Sequence, residues 1–408
     1  MSNAEDIVRS MIEKPTVFKN REALYPEYLP EKLPHREQQL ASLTNLFRGL
    51  LVSPGSFSQR VLLVGGLGTG KTVTARLFGT IFSAAAREHG IELRYVHVNC
   101  HRERTLFGIV TEIARQLGLP IPPRGLSAQE IYYGIMDYLD RKDVFLLTVL
   151  DEFDYFVEVS GSDAVYFLIR TYDEYPERAK RLNFIFISRD PYVVHKLDNA
   201  TASYLVRNTV RFNKYTSREI YDILDHRRSI AFYDGVVSDE VLEFISEIVG
   251  ADREGDGNAR LALEMLLMAG LAADEEMSPR VTIDHVRKAN ALINTSTVVA
   301  LEHLPFLSRH ELLLLLAAVN VLRKEQTSYV RIGDVEREYQ ALCEEYKERP
   351  RRHTQVYEYV MNLKKLGLIE ARTSGKGYRG KSTLIGITAA PLRILEDKIR
   401  EMLETIKE

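Results

Sequence analysis

Apolar and polar positions along this chain follow two periods, and the period changes with position. Short, almost wholly apolar runs at 61–64, 94–98, 144–150, 183–188 and 209–212 predict buried strands, because a strand covered on both faces has no polar side to show. Segments with helical spacing lie between them, at 72–86, 106–117 and 128–139. Strands alternating with helices imply right-handed crossovers and an α/β domain with a parallel sheet. After Phe212 the strand pattern stops, and 217–230, 239–249, 258–272 and 283–293 read as helices alone, with Ser217 and Ser238 as caps ahead of acidic first turns. The pattern breaks at 294–305. A third unit starts near Ser308, with helices predicted at 309–324, 331–347 and 353–366, two short strands around a glycine-rich turn, and a terminal helix. Residues 1–30 carry Pro15, Pro26 and Pro30 with little periodicity and read as an extended arm. The expected division is an arm (1–30), an α/β domain (31–214), a small all-α domain (215–296) and a C-terminal domain (300–408).

Composition narrows the class. The 408 residues are 45% hydrophobic and 27% charged, which excludes a disordered, collagen-like or disulfide-scaffolded chain. Cys100 and Cys343 lack a CxxC partner and read as buried thiols in a reducing compartment. No apolar run reaches the roughly 18 residues of a membrane helix. The first residues are charged from Glu5 onward and lack an apolar leader, so a cytoplasmic protein is expected. The 54 basic and 57 acidic residues nearly cancel, yet the sum hides a patch. Between Arg349 and Thr388, nine Lys or Arg face two acids, Glu358 and Glu370, for a local charge of +7.

The chemistry is concentrated in a few places. Gly65, Gly66, Leu67, Gly68, Thr69, Gly70, Lys71 and Thr72 satisfy GxxxxGK[ST] directly after a strand and at the start of a helix. Glycines let backbone N–H groups turn around phosphate oxygens, and the helix N-terminus, continuing through Val73, favours their charge. Lys71 would reach the β and γ phosphates, and the Thr72 hydroxyl would ligate Mg²⁺. The apolar run 144–150 ends in Asp151 and Glu152, at the strand edge where open parallel sheets bind ligands. Asp151 suits the metal side of a phosphoryl-transfer site, and Glu152 suits the group that polarises water. Together these signals define an ATP/ADP site. Arg189 stands at the tip of the fourth strand, where a polar side chain would lie between Asp151 and the glycine loop. Arg260 opens a helix whose expected apolar face is Leu261, Met265 and Met268, so it points off the core and could report nucleotide state.

These elements, in this order, resemble an AAA+ ATPase: a P-loop parallel-sheet domain followed by a small all-α lid. With the third unit read as a winged helix, the chain resembles the archaeal origin-recognition/Cdc6-type replication initiators from about Leu24 to the end. The supporting stretches are Tyr28 to Glu37 (YLPEKLPHRE), Val98-Asn99-Cys100 followed by Thr105, 125–130 (GLSAQE), 215–224 (YTSREIYDIL) and 257–263 (GNARLAL). The resemblance implies that Tyr28 and the stretch containing Arg36 form part of an adenine pocket. It also implies that Tyr215 and Arg227 touch nucleotide from the lid side, that Arg260 is a sensor, and that a helix at 105–117 contacts DNA. Arg207 and Arg211 are the candidates for completing a neighbour's site. The family usually shows Asn where this chain has Arg189, so slow hydrolysis, serving as a switch, is expected. The implied partners are origin double-stranded DNA, other initiator paralogues and the replicative helicase, in a nucleoid-associated protein with no membrane contact.

In the basic region, the helix at 353–366 places Val356, Val360, Leu363 and Leu366 on one face and Gln355, Glu358, Asn362 and Lys365 on the other. The first face packs; the second could enter a major groove. Strands at 369–373 and 382–388 would flank a hairpin with basic and aromatic tips, suited to phosphates or a minor groove. The expected DNA-binding residues are Arg351, Arg352, Thr354, Gln355, Tyr357, Lys364, Lys376, Tyr378, Arg379 and Lys381. Two other readings stay open: a hexameric winged-helix DNA motor, and a signalling or transcription-regulating ATPase whose winged helix binds protein.

Overall fold

The computed structural model describes residues 15–120, 125–294, 302–373 and 382–405. Lys376, Tyr378, Arg379 and Lys381 lie outside the described residues. The chain divides into two compact bodies: 29–219 with 256–259, and the described parts of 1–28, 220–255 and 260–408.

The first body runs α1 (Glu37–Val52), β1 (Arg60–Gly65), α2 (Lys71–Glu88), β2 (Leu93–Asn99), α3 (Leu106–Gln116), α4 (Ala128–Lys142), β3 (Phe145–Asp151), α5 (Phe153–Glu174), β4 (Leu182–Ser188), α6 (Asn199–Val206) and β5 (Thr209–Phe212). All five strands are parallel, in the order β2-β3-β4-β1-β5. Successive strand residues point to opposite faces, and both faces are covered. Leu62, Val64, Leu146, Leu150 and Phe186 pack on one side, while Val61, Leu63, Leu147, Val149 and Ile185 pack on the other. This double burial is why the strands read as unbroken apolar runs. The sequence pattern did not reveal α5, whose apolar stripe is interrupted at Gly161 (φ +73°, ψ −178°), so no single helical period runs through it.

The second body holds α7 (Ser217–Ala231) beyond its first turn, α8 (Asp239–Val249), α9 (Ala259–Glu275) beyond its first residue and α10 (Ile283–Ile293). It continues with α11 (Arg309–Glu325), β6 (Tyr329–Arg331), α12 (Ile332–Glu345), α13 (His353–Lys365), β7 (Glu370–Thr373), β8 (Thr383–Gly386) and α14 (Leu392–Thr405). Strand β6 lies in the unassigned stretch just before the helix predicted over 331–347 and overlaps it only at Arg331; it pairs antiparallel with β8, giving the order β6-β8-β7. The buried stripe of α9 runs through Ala262, Met265, Leu266 and Ala269, rotated from the expected Leu261/Met265/Met268 face. The cap of α7 comes from Thr216 rather than Ser217: the Glu219 amide donates to Thr216 Oγ1 (3.3 Å), and Glu219 Oε2 accepts from the Thr216 amide (2.8 Å). From Thr16 onward the described part of the N-terminal arm is docked. The Phe18 ring lies 4.8 Å from Phe232, and the Asp274 carboxylate accepts from Thr16 Oγ1 (2.6 Å) and the Val17 amide (2.7 Å).

The helices α8 and α10 and the three-stranded sheet share buried polar contacts, which fuse the expected all-α domain to the C-terminal one. Arg287, 2% exposed, donates from Nε to the Ile387 carbonyl (2.7 Å) and from a terminal nitrogen to the Thr327 carbonyl (3.3 Å), and it lies 5.5 Å from the Phe244 ring centre. Burial lowers its pKa to about 10. Asn290 Nδ2 donates to the Thr388 carbonyl (2.9 Å), and the Leu392 amide donates to Asp284 Oδ1 (3.1 Å). An Arg287→Ala variant would leave one buried and one part-buried carbonyl without this donor, so a loss of about 2–3 kcal/mol is expected, read as a lower midpoint in chemical unfolding.

Cys100 and Cys343 are free and buried, and burial raises both thiol pKa values, as expected of inert thiols. Among the described residues no helix is long and apolar enough to cross a membrane.

Candidate functional site

The loop from Gly65 to Gly70 leaves the C-terminal end of β1, the strand between β4 and β5. Two of its glycines are required by the backbone. Gly68 (φ +67°) and Gly70 (φ +88°) are left-handed; a Cβ on Gly70 would stand 2.7 Å from the Tyr215 hydroxyl, and one on Gly68 would collide with Asn258 Oδ1. Lys71, 7% exposed, turns back into the loop and donates from Nζ to the Gly65 and Gly66 carbonyls, both at 2.7 Å. The ammonium is thereby held where the loop's amides and the α2 N-terminus gather positive charge.

Across the strand edge, Thr72 Oγ1 donates to Asp151 Oδ2 (2.8 Å), and the Glu152 amide donates to Asp151 Oδ1 (2.9 Å). Asp151 is buried, and its Oδ2 also lies 3.2 Å from His97 Nε2. Glu152 is left-handed at φ +56°, a conformation costing a non-glycine residue about 1–2 kcal/mol, and one that functional sites often retain. Two side chains meet its carboxylate: Asn99 Nδ2 at 3.4 Å, and the Arg189 guanidinium in an ion pair with Oε1. The Arg189 amide in turn donates to Asp154 Oδ1 (3.3 Å). Because β4 lies between β3 and β1, Arg189 at its tip falls between the two acids and the glycine loop. A hydroxyl beside a buried carboxylate is a hard oxygen donor pair that fits Mg²⁺, and the positive loop fits a polyphosphate.

Arg36 underpins this loop. It is 4% exposed and donates from Nε to the Thr69 carbonyl (2.9 Å) and from a terminal nitrogen to the Asn213 carbonyl (3.1 Å), with its guanidinium 3.7 Å from the Tyr215 ring centre. Burial lowers the Arg36 pKa and lifts the Tyr215 hydroxyl to about 12. Arg36, expected in the adenine pocket, and Tyr215, expected on the nucleotide from the lid side, thus clamp the P-loop and the chain after β5. The segment 257–259 is tied to the same loop, since the Ala259 amide donates to the Gly68 carbonyl (3.1 Å). Arg260, exposed, follows directly in the chain.

Tyr28 and Arg227 meet in the second body. Arg227 lies 4.9 Å from the Tyr28 ring centre and donates to the Ala23 carbonyl (2.9 Å). In the same body α13 buries Val356, Val360 and Leu363, while Arg351, Arg352, Thr354, Gln355, Tyr357 and Lys364 are exposed together along its N-terminus and outer face. Lys364 Nζ reaches back to the Ala371 carbonyl (3.2 Å), and Asn362 is held by Glu311 Oε1 (2.6 Å). Helix α3 buries Ile109, Val110, Ile113 and Ala114 against the sheet body. Its Arg115 is paired with Glu112, and that bond holds the Glu112 carboxyl down at about 2. Arg207 caps the end of α6 and is exposed; Arg211 is exposed on β5.

Sequence reading gave no role to His97, Asn99, Asp154 or Asn258, although Asn99 and Asn258 lie in stretches that carry the resemblance. Asn99 ends β2 and aligns with Asp151, which matters only once β2 and β3 are known to be neighbours.

Comparison with known proteins points one way. Family models for an AAA domain, a Cdc6 AAA+ ATPase-type lid domain and a CDC6 C-terminal winged helix domain match residues 58–194, 221–291 and 302–397. The chain is 44% identical over 405 residues to ORC1-type DNA replication protein 2 of Saccharolobus solfataricus, covering 99% of this chain and 98% of that relative. The crystal structure of Cdc6p from Pyrobaculum aerophilum resembles it with a TM-score of 0.80 and 32% identity, over 96% of this chain and 100% of that one. The Aeropyrum pernix ORC1 protein in complex with DNA does so with a TM-score of 0.60 and 27% identity, over 96% and 98%.

Proposed function

Since the chain belongs to the Cdc6/ORC1-type family of AAA+ DNA replication proteins, we propose that it is an ATP-dependent replication initiator that grips origin duplex with its winged helix and uses slow hydrolysis as a switch. The observation that carries this reading is the convergence of Lys71, Thr72, Asp151 and Glu152 at one sheet edge, in a chain that also exposes a basic helix start at Arg351 and Arg352.

In this reading the loop from Gly65 to Val73 cradles the triphosphate of ATP or ADP, and the Lys71 ammonium exchanges its two carbonyls for phosphate oxygens. Thr72 and Asp151 would hold Mg²⁺, which supplies charge neutralisation for the phosphates when bound. Glu152 positions and deprotonates the attacking water, and Asn99 steadies its carboxylate. Arg189 competes for that carboxylate, which keeps the resting turnover low. Arg260 follows the residue tied to Gly68, so closure of the lid onto nucleotide would carry its guanidinium toward the phosphates. The lid is fused to the winged helix through Arg287, and its closure would thus set how α13 meets DNA.

Duplex contact is assigned to α13 and to α3, whose Arg115 is exposed and held only by a surface pair with Glu112 that a phosphate can replace. Each phosphate neutralised lowers log affinity by about 0.9 per log unit of salt. Replacing Arg351 and Arg352 together by alanine should weaken duplex binding for every sequence and flatten the salt dependence by about 1.8 log units per decade. Fluorescence anisotropy across a salt series measures this, and superimposable curves would take α13 off the DNA. The test of the whole reading is footprinting on chromosomal origin fragments with ATP, with ADP and without nucleotide: nucleotide-dependent protection with stoichiometric binding and slow turnover is expected. Rapid DNA-stimulated turnover by a hexamer would instead make it a motor, and no salt-dependent duplex binding would make the winged helix a protein-docking module. Initiator paralogues, the replicative helicase and a nucleoid location follow from the same reading.

A further inference from the structure

A second cationic cavity lies away from the P-loop. Arg60 begins β1 and Gly65 ends it, so the two mark opposite ends of the strand, about 17 Å apart at the usual rise. Around Arg60 the structure forms a cavity of about 390 Å³, lined by Arg170, Tyr204 and Arg207 among others. That volume falls in the range of small-molecule sites. Two guanidinium groups converge on one ring: Arg60 lies 4.9 Å from the Tyr204 ring centre and Arg170 5.7 Å. The carboxylate beside them, Asp173, is taken: it accepts from Arg170 Nε at 2.5 Å and from the Tyr204 hydroxyl at 3.4 Å. Arg60 and Arg207 form no ion pair among the described residues, Asp173 acting on Arg60 only from farther off, and Arg60 Nε is buried there without any hydrogen-bond acceptor. A buried donor left unsatisfied costs about 1–3 kcal/mol, so a protein keeps one where an acceptor arrives from outside.

We propose that this cavity is a second anion site, which binds the phosphate group of a small phosphorylated molecule between Arg60, Arg170 and Arg207. Guanidinium forks match phosphate oxygens bidentately, and a phosphate dianion balances both arginines that form no ion pair, whereas one carboxylate would balance only one. The occupant is small rather than a nucleic-acid backbone. Elsewhere at this end of the first body Arg178 and Arg181 are already neutralised by Asp137, Asp140 and Asp143, so the excess of positive charge does not spread into a track along which a polyanion could lie. None of its residues belongs to this chain's P-loop or acid edge; Arg207 is also a candidate for completing a neighbour's site, whereas Arg60 and Arg170 belong to this cavity alone.

The test uses the full chain carrying Lys71→Ala, which disables the P-loop, with inorganic pyrophosphate and orthophosphate titrated in a calorimeter. One equivalent of pyrophosphate should bind. Adding Arg207→Ala should weaken it by about tenfold or more, and Arg60→Met should do the same. Arg207 is exposed on a helix end, so its variant remains informative if Arg60→Met unfolds. Absence of uptake by the Lys71→Ala chain, or unchanged affinity after Arg207→Ala, overturns the proposal. Uptake that appears only as the chain self-associates, or that a short duplex abolishes by competition, overturns it too, since the anion would then belong to an interface or to DNA. Failure of Lys71→Ala to affect ATP binding would count against the P-loop reading alone.

Discussion

A Lys71→Ala chain is expected to bind ATP at least about 100-fold more weakly than the native chain while folding normally. The ammonium is 7% exposed and sits within the glycine loop, so it meets phosphate oxygens already stripped of most of its water. Removing one partner of a largely desolvated charge pair costs about 2–5 kcal/mol, and about 2.7 kcal/mol is a hundredfold in affinity. Without nucleotide the same ammonium donates to the Gly65 and Gly66 carbonyls, each of which has a second lone pair and lies in a half-buried loop. The thermal midpoint without ATP should therefore move little, while the rise in midpoint on adding ATP should vanish. Equilibrium binding of a fluorescent ATP analogue measures the affinity. Native-like affinity in the variant would remove Lys71 from the site and, with it, the P-loop reading.

Glu152→Gln should cut ATP turnover by about 10²–10⁴-fold and leave ATP affinity within a few fold, because a general base contributes about that factor and an amide of the same shape keeps the packing. The partner substitution Arg189→Asn moves the rate the other way. In the native chain the carboxylate that must accept a proton is ion-paired with Arg189, and a paired carboxylate is a poorer base until the pair opens. The pair is partly exposed, so it is worth about 1 kcal/mol, and opening it permanently should raise turnover by about five- to tenfold. Phosphate release under saturating ATP distinguishes the outcomes. A Glu152→Gln chain that turns over at the native rate removes Glu152 from the chemistry, and an Arg189→Asn chain with unchanged rate means the pair does not limit it. The double variant should behave as Glu152→Gln alone, since Arg189 acts through that carboxylate.

The parts legible from sequence were those carried by local signals. Gly65 to Thr72 follow a spacing that backbone sterics and phosphate geometry impose within eight residues, and the acids at 151 and 152 follow a strand that is apolar throughout because it is buried on both faces. Elements that broke a period were lost. Helix α5 is split at Gly161, and β6 is three residues long and runs directly into α12. Contacts that depend on a partner far along the chain left no local signal. Arg36 and Tyr215 stack on each other beneath the loop, 3.7 Å apart. Tyr28 lies against Arg227.

By itself the sequence determined which stretches are strands and helices, that a P-loop and an acidic strand end exist, and where basic charge collects, because each follows from neighbours within one element. Only the tertiary structure decided that Arg189, at the expected strand tip, pairs with Glu152, that Arg287 welds the lid to the winged helix, and that Arg60 meets Arg170 and Arg207 around one cavity. These are encounters between residues tens to more than a hundred positions apart. No local period encodes them; they arise when apolar faces choose their partners, and the polar groups those faces carry arrive together.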